Sequence, residues 1–162
     1  MKELQGIVKE ILESTNSIGN SCLYLSAFLV AMINDHTTLS AKFITGSLKL
    51  NELVVYNHSP VKLLLEGQES LLNNWDGHSW IEISGFIIDL SIFRTIFSSK
   101  TDLKIQEAFK IIQRDYDGYI IEKKINLIEK GLVYTIKEEL TNENANVLIQ
   151  NAGNIGLIKN NI

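Results

Sequence analysis

Residues 78–91 read HSWIEISGFIIDLS, and this stretch decides the fold. Strand-forming residues flank a Ser84-Gly85 turn signal, which is typical of an antiparallel β-hairpin. The predicted strands are 78–84 and 86–91. An unpaired carboxylate is costly to bury in an apolar strand, so Asp89 on the second strand requires a partner. His78 at the start of the first strand is within reach, although only the turn register decides whether the two side chains share a face.

Two helices are predicted ahead of this hairpin. Apolar residues recur at three- and four-residue steps in residues 3–14, which is typical of an amphipathic helix. The segment from Ser21 to Asn34 is apolar on nearly all sides and too long for a typical strand, so we expect a buried central helix capped by Ser21 or Asn20. Its apolar run is shorter than the about 20 residues that cross a bilayer, which excludes a membrane span there.

The rest of the chain alternates between strand and helix patterns. Further strands are predicted at 40–50, 52–57 and 132–137. Helical spacing covers residues 101–114, with Thr101 as a plausible cap, and the tail after Thr141 is expected to form a short helix with a frayed end. With no internal repeat and no linker, the prediction is an α+β fold in a single domain, residues 1–162.

Composition narrows the classes of partner and compartment. The chain has 162 residues, 15 basic and 19 acidic, for a net charge of −4, and it lacks a Lys/Arg cluster that would indicate nucleic acid or a membrane surface. Its single cysteine excludes an internal disulfide. Together with the lack of a secretory signal, this predicts a reducing cytoplasm, or delivery into another cell.

Cys22 is the candidate nucleophile. It follows a glycine-containing loop, residues 17–21, at the predicted start of the buried helix. A thiolate rather than a thiol reacts, and a cysteine pKa falls at a helix N-terminus or beside an imidazolium. Backbone N–H groups of such a loop also suit a developing oxyanion. The imidazolium in turn needs a residue that fixes its tautomer, and His78 with Asp89 meets that need.

Cys22 and His78 each also have a purely structural interpretation. A lone cysteine in an apolar helix is most often a small core residue, and His78 alone after Asp76-Gly77 is typical of a turn. A cysteine at a helix start, followed by a histidine and an aspartate on adjacent strands, favours a catalytic triad. Zinc is a weak candidate because His36 ends a helix and His58 lies in a turn, outside any ligand motif, so no metal site is predicted.

Several blocks resemble the transglutaminase-like superfamily, which has a papain-like fold and many bacterial members. GNSC at 19–22 and AKFITGSL at 41–48 are similar to the family's cysteine helix start and its A-[RK]-x-[VI]-x-G strand. HSWIEI at 78–83 is similar to its H-x-W-[VI]-E block, and FIIDLS at 86–91 to its W-x-x-x-D-[PL]-[ST] block. The likeness covers about half of the chain and keeps the family's order. Leu90 replaces the family's usual proline.

The resemblance implies a role for each matched residue. Cys22 corresponds to the nucleophile, His78 to the general base and acid, and Asp89 to the residue that orients the imidazole. The aromatic residue that often supports the oxyanion upstream of the cysteine is missing here. This leaves Asn16, Asn20 and backbone N–H groups as candidates for that role.

The two tryptophans are candidates for the surroundings of the site. Trp80, two residues past His78, either shields the His-Cys pair from water or is a core aromatic. Trp75 either lines a substrate groove or anchors the polar loop before His78.

The expected reaction is cysteine-dependent acyl transfer or hydrolysis of an amide or peptide, as in a protease, amidase or deamidase. A transglutaminase or acyltransferase with an amine acceptor uses the same three residues, and a non-catalytic peptide-binding module on the same fold is the third possibility. The expected partner is a peptide, protein or small amide substrate, without cofactor, nucleic acid or membrane. The oligomeric state is left open.

Overall fold

The computed structural model describes residues 1–18, 21–66, 75–98 and 100–159. Its helices are α1 (Lys2–Ser14), α2 (Cys22–His36), α3 (Lys62–Glu66), α4 (Ile92–Ile96), α5 (Leu103–Gln113), α6 (Lys124–Glu129) and α7 (Asn142–Asn151), with a 3₁₀ turn at Ala152–Ile155. Its strands are β1 (Lys42–Leu50), β2 (Leu53–Tyr56), β3 (His78–Ile83), β4 (Phe86–Asp89), β5 (Ile120–Lys123) and β6 (Leu132–Leu140). The predicted α+β class is confirmed.

The strands form one antiparallel sheet in which β1 is central. β6 pairs along one edge of β1. On the opposite edge, β3 pairs with the first half of β1 and β2 with the second half. Because β6 occupies one edge, β2 and β3 must lie end to end along the other. This arrangement brings Tyr56, which is paired with Leu48, next to His78, which is paired with Gly46. β4 and β5 then continue the sheet beyond β3.

Each face of the sheet is covered by its own hydrophobic core. On one face, β3 residues Ile81 and Ile83 pack with apolar residues of α1, α2 and α7. On the other face, Trp80 packs with apolar residues of α4, α5 and α6. Strand alternation explains this division, since successive side chains point to opposite faces. Within the described ranges, no helix is both long and apolar enough to traverse a bilayer.

Most differences between the predicted and the observed secondary structure concern short helices and strands. α3, α4, β5 and α6 were not predicted, because periodicity does not identify segments of six residues or fewer, whereas the short strands β2, β3 and β4 were predicted from the turn signals next to them. The strand expected at 132–137 continues to Leu140. The remaining predicted helices and strands are confirmed to within about three residues at their ends.

Two predicted helix caps are corrected. α5 is capped by the Asp102 carboxylate, which accepts a backbone hydrogen bond, and not by Thr101. Ser21 stands at the cap position of α2, but its hydroxyl donates to the carbonyl of Ile18 instead of accepting from the helix. Asn20 lies outside the described residues.

Gly46 marks the closest approach of β1 to its neighbours. A Cβ at this position would overlap the backbone oxygen of Thr135 and lie 2.7 Å from the Trp80 ring. We expect Gly46→Ala to lower the free energy of unfolding by about 3 kcal/mol, because relief requires disruption of the β1–β6 pairing. Urea unfolding measures this change. A loss below about 1 kcal/mol would show that the sheet adjusts easily.

Gly6 offers a matched control for that substitution. It lies on α1, and nothing stands within 4 Å of a Cβ built there. Alanine is the better helix former, so Gly6→Ala is expected to raise stability by about 0.5–1 kcal/mol.

Candidate active site

The hairpin register brings His78 and Asp89 together. β3 and β4 pair Ile81 with Ile88, so one step further along the register Asp89 lies opposite Trp80. Opposed residues point to the same face of the sheet, so Trp80 and Asp89 share a face. His78 lies two residues before Trp80 on the same strand and therefore points to that face as well. The imidazole Nε2 lies 2.6 Å from the Asp89 Oδ2, and both side chains are fully buried.

Asp89 is held by five hydrogen bonds. Its Oδ2 accepts from His78 Nε2 and from the Tyr134 hydroxyl at 2.8 Å. Its Oδ1 accepts from the backbone N–H groups of Ser91 and Ile92, at 3.1 and 3.0 Å, and from the Ser91 hydroxyl at 3.3 Å. Because all of these partners donate to the carboxylate, Nε2 carries a proton, and Nδ1 is the nitrogen left for acid-base chemistry.

Cys22 is the first residue of α2, and its side chain is 5 % exposed. The first hydrogen bond of the helix joins the Leu25 N–H to the Ser21 carbonyl at 2.9 Å. Backbone N–H groups ahead of Leu25 therefore lack acceptors inside the helix, and the positive end of the helix dipole lies at the thiol.

The electrostatics of His78 connect it to both Asp89 and Cys22. Burial lowers the pKa of His78, but the charge and hydrogen bond of Asp89, together with a smaller contribution from Cys22, raise it to about 10. Among the described residues, Nδ1 nevertheless has no partner of ordinary hydrogen-bond geometry. Cys22 therefore influences the pKa of His78 without forming a hydrogen bond of standard geometry with Nδ1.

Aromatic rings surround the imidazole. Tyr56 stacks on it, with ring centroids 5.0 Å apart and planes 9° apart. The rings of Trp80 and Tyr134 lie 6.4 and 6.3 Å away, and Trp80 is fully buried. Trp80 is thus a core aromatic whose ring lies close to the fully buried imidazole of His78. Such a dry environment strengthens every charge interaction of the imidazole.

Asn16 and Trp75 hold loops around this centre. The Asn16 amide donates to the carbonyl of Gly156 at 2.8 Å, which ties it to the C-terminal segment. The half-buried Trp75 donates from its indole N–H to the carbonyl of Ser59 at 2.8 Å and meets the His58 ring edge to face. The contacts of both side chains are therefore those of loop anchors.

A second polar cluster fixes the chain that follows Tyr56. The Nε2 atom of His58 lies 3.3 Å from the carboxylate of Glu138 and 3.1 Å from the hydroxyl of Thr45. Glu138 also accepts from the backbone N–H of Val61 at 2.9 Å. Burial lowers the pKa of His58 and outweighs the opposing effect of Glu138. This cluster therefore anchors the turn that leads out of β2.

Arg94 connects Asp89 to the loop before Cys22. It lies on α4, which starts at the backbone N–H groups held by Asp89. Its guanidinium donates to acceptors at the end of α1 and just beyond it, which are the carbonyls of Leu12 and Asn16 and the hydroxyl of Thr15. A cation is favoured there by the unpaired carbonyls and by the negative end of the helix dipole.

Sequence reasoning missed Tyr56, Tyr134 and Arg94. The two tyrosines reach His78 and Asp89 from strands distant in sequence, through the pairing of β2 and β6 with β1. The one available signal was the alternation of Leu132 and Tyr134, which places both on the inward side of β6.

The structure thus has a thiol at a helix start and an imidazole whose Nε2 is held by a carboxylate and whose pKa is raised in part by that thiol. This is the set of groups that thiol-dependent acyl transfer requires. No protein-family model, curated protein or solved structure matches the chain.

Proposed function

We propose that this protein is a cysteine-dependent hydrolase or acyltransferase acting on amide or peptide bonds through Cys22, His78 and Asp89. The observation that carries the proposal is the two-sided environment of His78, which Asp89 holds through Nε2 and whose pKa Cys22 helps to raise. A papain-like, transglutaminase-like fold is part of the proposal. It is supported by α2, which begins at Cys22 and packs on the sheet that bears the other two residues.

The mechanism follows from the positions of these groups. The Cys22 thiol gives its proton to Nδ1 of His78, and the resulting thiolate attacks the carbonyl carbon. The carbonyl π electrons move to the oxygen, which backbone N–H groups at the start of α2 stabilise. His78 then delivers the Nδ1 proton to the leaving amine as the C–N bond breaks, and a thioester remains. Asp89 keeps the imidazole oriented throughout.

The second substrate determines the product class. Water, deprotonated by His78, completes hydrolysis as in a protease, amidase or deamidase, whereas an amine acceptor completes transfer as in a transglutaminase. We favour hydrolysis of a peptide or amide bond. The single cysteine fits a reducing compartment, so the proposal places the reaction in the cytoplasm or in a cell that receives the protein.

The direct test is the rate of Cys22 alkylation by iodoacetamide as a function of pH. Cys22 is the only cysteine, so every adduct reports on it. In the wild type we expect a rate plateau that extends well below pH 8, because an imidazolium stabilises the thiolate. In His78→Ala the rate at pH 6 should fall about 10- to 100-fold.

The pH profile separates the effect of the burial of Cys22 from the effect of its activation by His78. Limited access slows alkylation equally at every pH, whereas loss of the imidazolium changes the shape of the profile. His36→Ala, which removes an exposed imidazole from the end of α2, is the matched control and should leave the profile unchanged.

A non-catalytic peptide-binding module is the second candidate, and the low exposure of Cys22 favours it. It predicts slow alkylation in both proteins, rising only at the alkaline pH where ordinary thiols ionise. That result would exclude the enzyme.

A further inference from the structure

The Tyr56 hydroxyl is a buried polar group that the structure leaves unused. Among the described residues it has no hydrogen-bond partner. Buried hydroxyls are nearly always paired, and an unpaired one costs about 1–3 kcal/mol. The ring itself is firmly placed by its stacking on His78 and by the pairing of β2 with β1.

The surroundings of this hydroxyl determine what it can do. Burial raises the pKa of Tyr56, and the nearby Cys22 and Asp89 raise it further, against a smaller opposing effect of Thr95. The phenol therefore keeps its proton at every pH at which Cys22 would react. The Thr95 hydroxyl already donates to the carbonyl of Ser91 at 2.9 Å. No hydrogen bond of standard geometry joins Thr95 to Tyr56, so among the described residues the Tyr56 O–H is an unpaired donor on the ring that stacks against the imidazole.

We propose that the Tyr56 hydroxyl is a catalytic residue that donates a hydrogen bond to the oxyanion formed when Cys22 attacks a carbonyl. The inference rests on the acyl-transfer function proposed above. It provides a side-chain donor for the oxyanion in addition to the predicted Asn16 amide, one N–H of which donates to the carbonyl of Gly156. A donor without an acceptor in the free protein is preorganised for charge that appears only during the reaction.

The step can be isolated with p-nitrophenyl acetate as the probe. The Cys22 thiolate forms a C–S bond to the carbonyl carbon, and the π electrons move to oxygen, where Tyr56 donates. Collapse restores the carbonyl and breaks the bond to p-nitrophenolate, which leaves with its electron pair and needs no proton. Iodoacetamide alkylates the same sulfur by displacement at a saturated carbon and forms no oxyanion.

Tyr56→Phe separates the two reactions. We expect acylation by p-nitrophenyl acetate to slow about 100-fold, while alkylation by iodoacetamide stays within about twofold of the wild type. The phenylalanine ring preserves the stacking on His78, and the variant should be at least as stable as the wild type because it removes an unpaired hydroxyl. Tyr116→Phe is the matched control, since that hydroxyl accepts from Lys130.

Each other outcome overturns a specific claim. Equal slowing of both reactions would show that the hydroxyl acts on the thiolate, and unchanged rates in both would show that it has no role. Either result overturns this inference and leaves a reactive Cys22 in place. A wild type that forms neither adduct at Cys22 would overturn the proposed function itself.

Discussion

Asp89→Ala is expected to lower the free energy of unfolding by about 3–5 kcal/mol. The substitution leaves five donors without their acceptor inside the protein, including the first backbone N–H groups of α4 and the His78 imidazole. The loss comes from buried donors that no longer have an acceptor and from the loss of the buried ion pair with His78, whose imidazole becomes neutral without the carboxylate. Urea unfolding followed by circular dichroism measures the change.

Tyr134→Phe is the graded control for Asp89→Ala. It removes one of the five donors and leaves the carboxylate in place, so we expect a loss of about 1 kcal/mol. If Asp89→Ala cost no more than Tyr134→Phe, water would have to reach the site and replace the carboxylate, and the dry environment inferred for His78 would be wrong.

Asp89→Asn is expected to lower the pKa of His78 from about 10 to about 6.5 or below. Burial is the largest influence on this imidazole and lowers its pKa, and Asp89 provides most of what opposes burial. Titration of labelled histidine by NMR measures the pKa, with the His78 signal identified by its loss in His78→Ala. Cys22→Ser should leave the pKa above 6.5, because Cys22 is the smaller contributor.

The same shift predicts how stability depends on pH. The pKa of His78 is raised in the folded protein, so its stabilising contribution is complete below pH 6.5 and is lost as the pH rises toward 10. The adjacent hydroxyls of Tyr56 and Tyr134 have raised pKa values and stay neutral in this window. Asp89→Asn should abolish the decline. If the variant kept a His78 pKa near 10, Cys22 rather than Asp89 would sustain the imidazolium.

The hairpin could be predicted from the sequence because its turn and both of its strands lie within the short stretch 78–91. The Ser84-Gly85 pair forms the turn, and Ser84 and Gly85 both adopt positive φ, at 48° and 82°. The alternation around the turn was enough to place His78 and Asp89 on neighbouring strands. Whether they share a face depends on how many residues the turn takes, and sequence alternation alone does not contain that number.

Contacts between distant strands could not be predicted in this way. Tyr56 meets His78 only because β2 and β3 divide one edge of β1 between them, and Tyr134 meets Asp89 only because β6 takes the other edge. α4 escaped prediction for a different reason. It has five residues and begins where Asp89 binds the N–H of Ile92, so a side chain of the site, and not a periodic pattern, starts the helix.

The shortness of α4 has a mechanical consequence. Its first turn is bound to Asp89, and Arg94 near its other end is bound to the loop that leads to Cys22. One rigid helical turn therefore spans the distance between the carboxylate that orients the imidazole and the chain that delivers the thiol. A displacement of α4 would therefore act on both attachments at once, on Asp89 through the Ile92 N–H and on Asn16 through the Arg94 guanidinium.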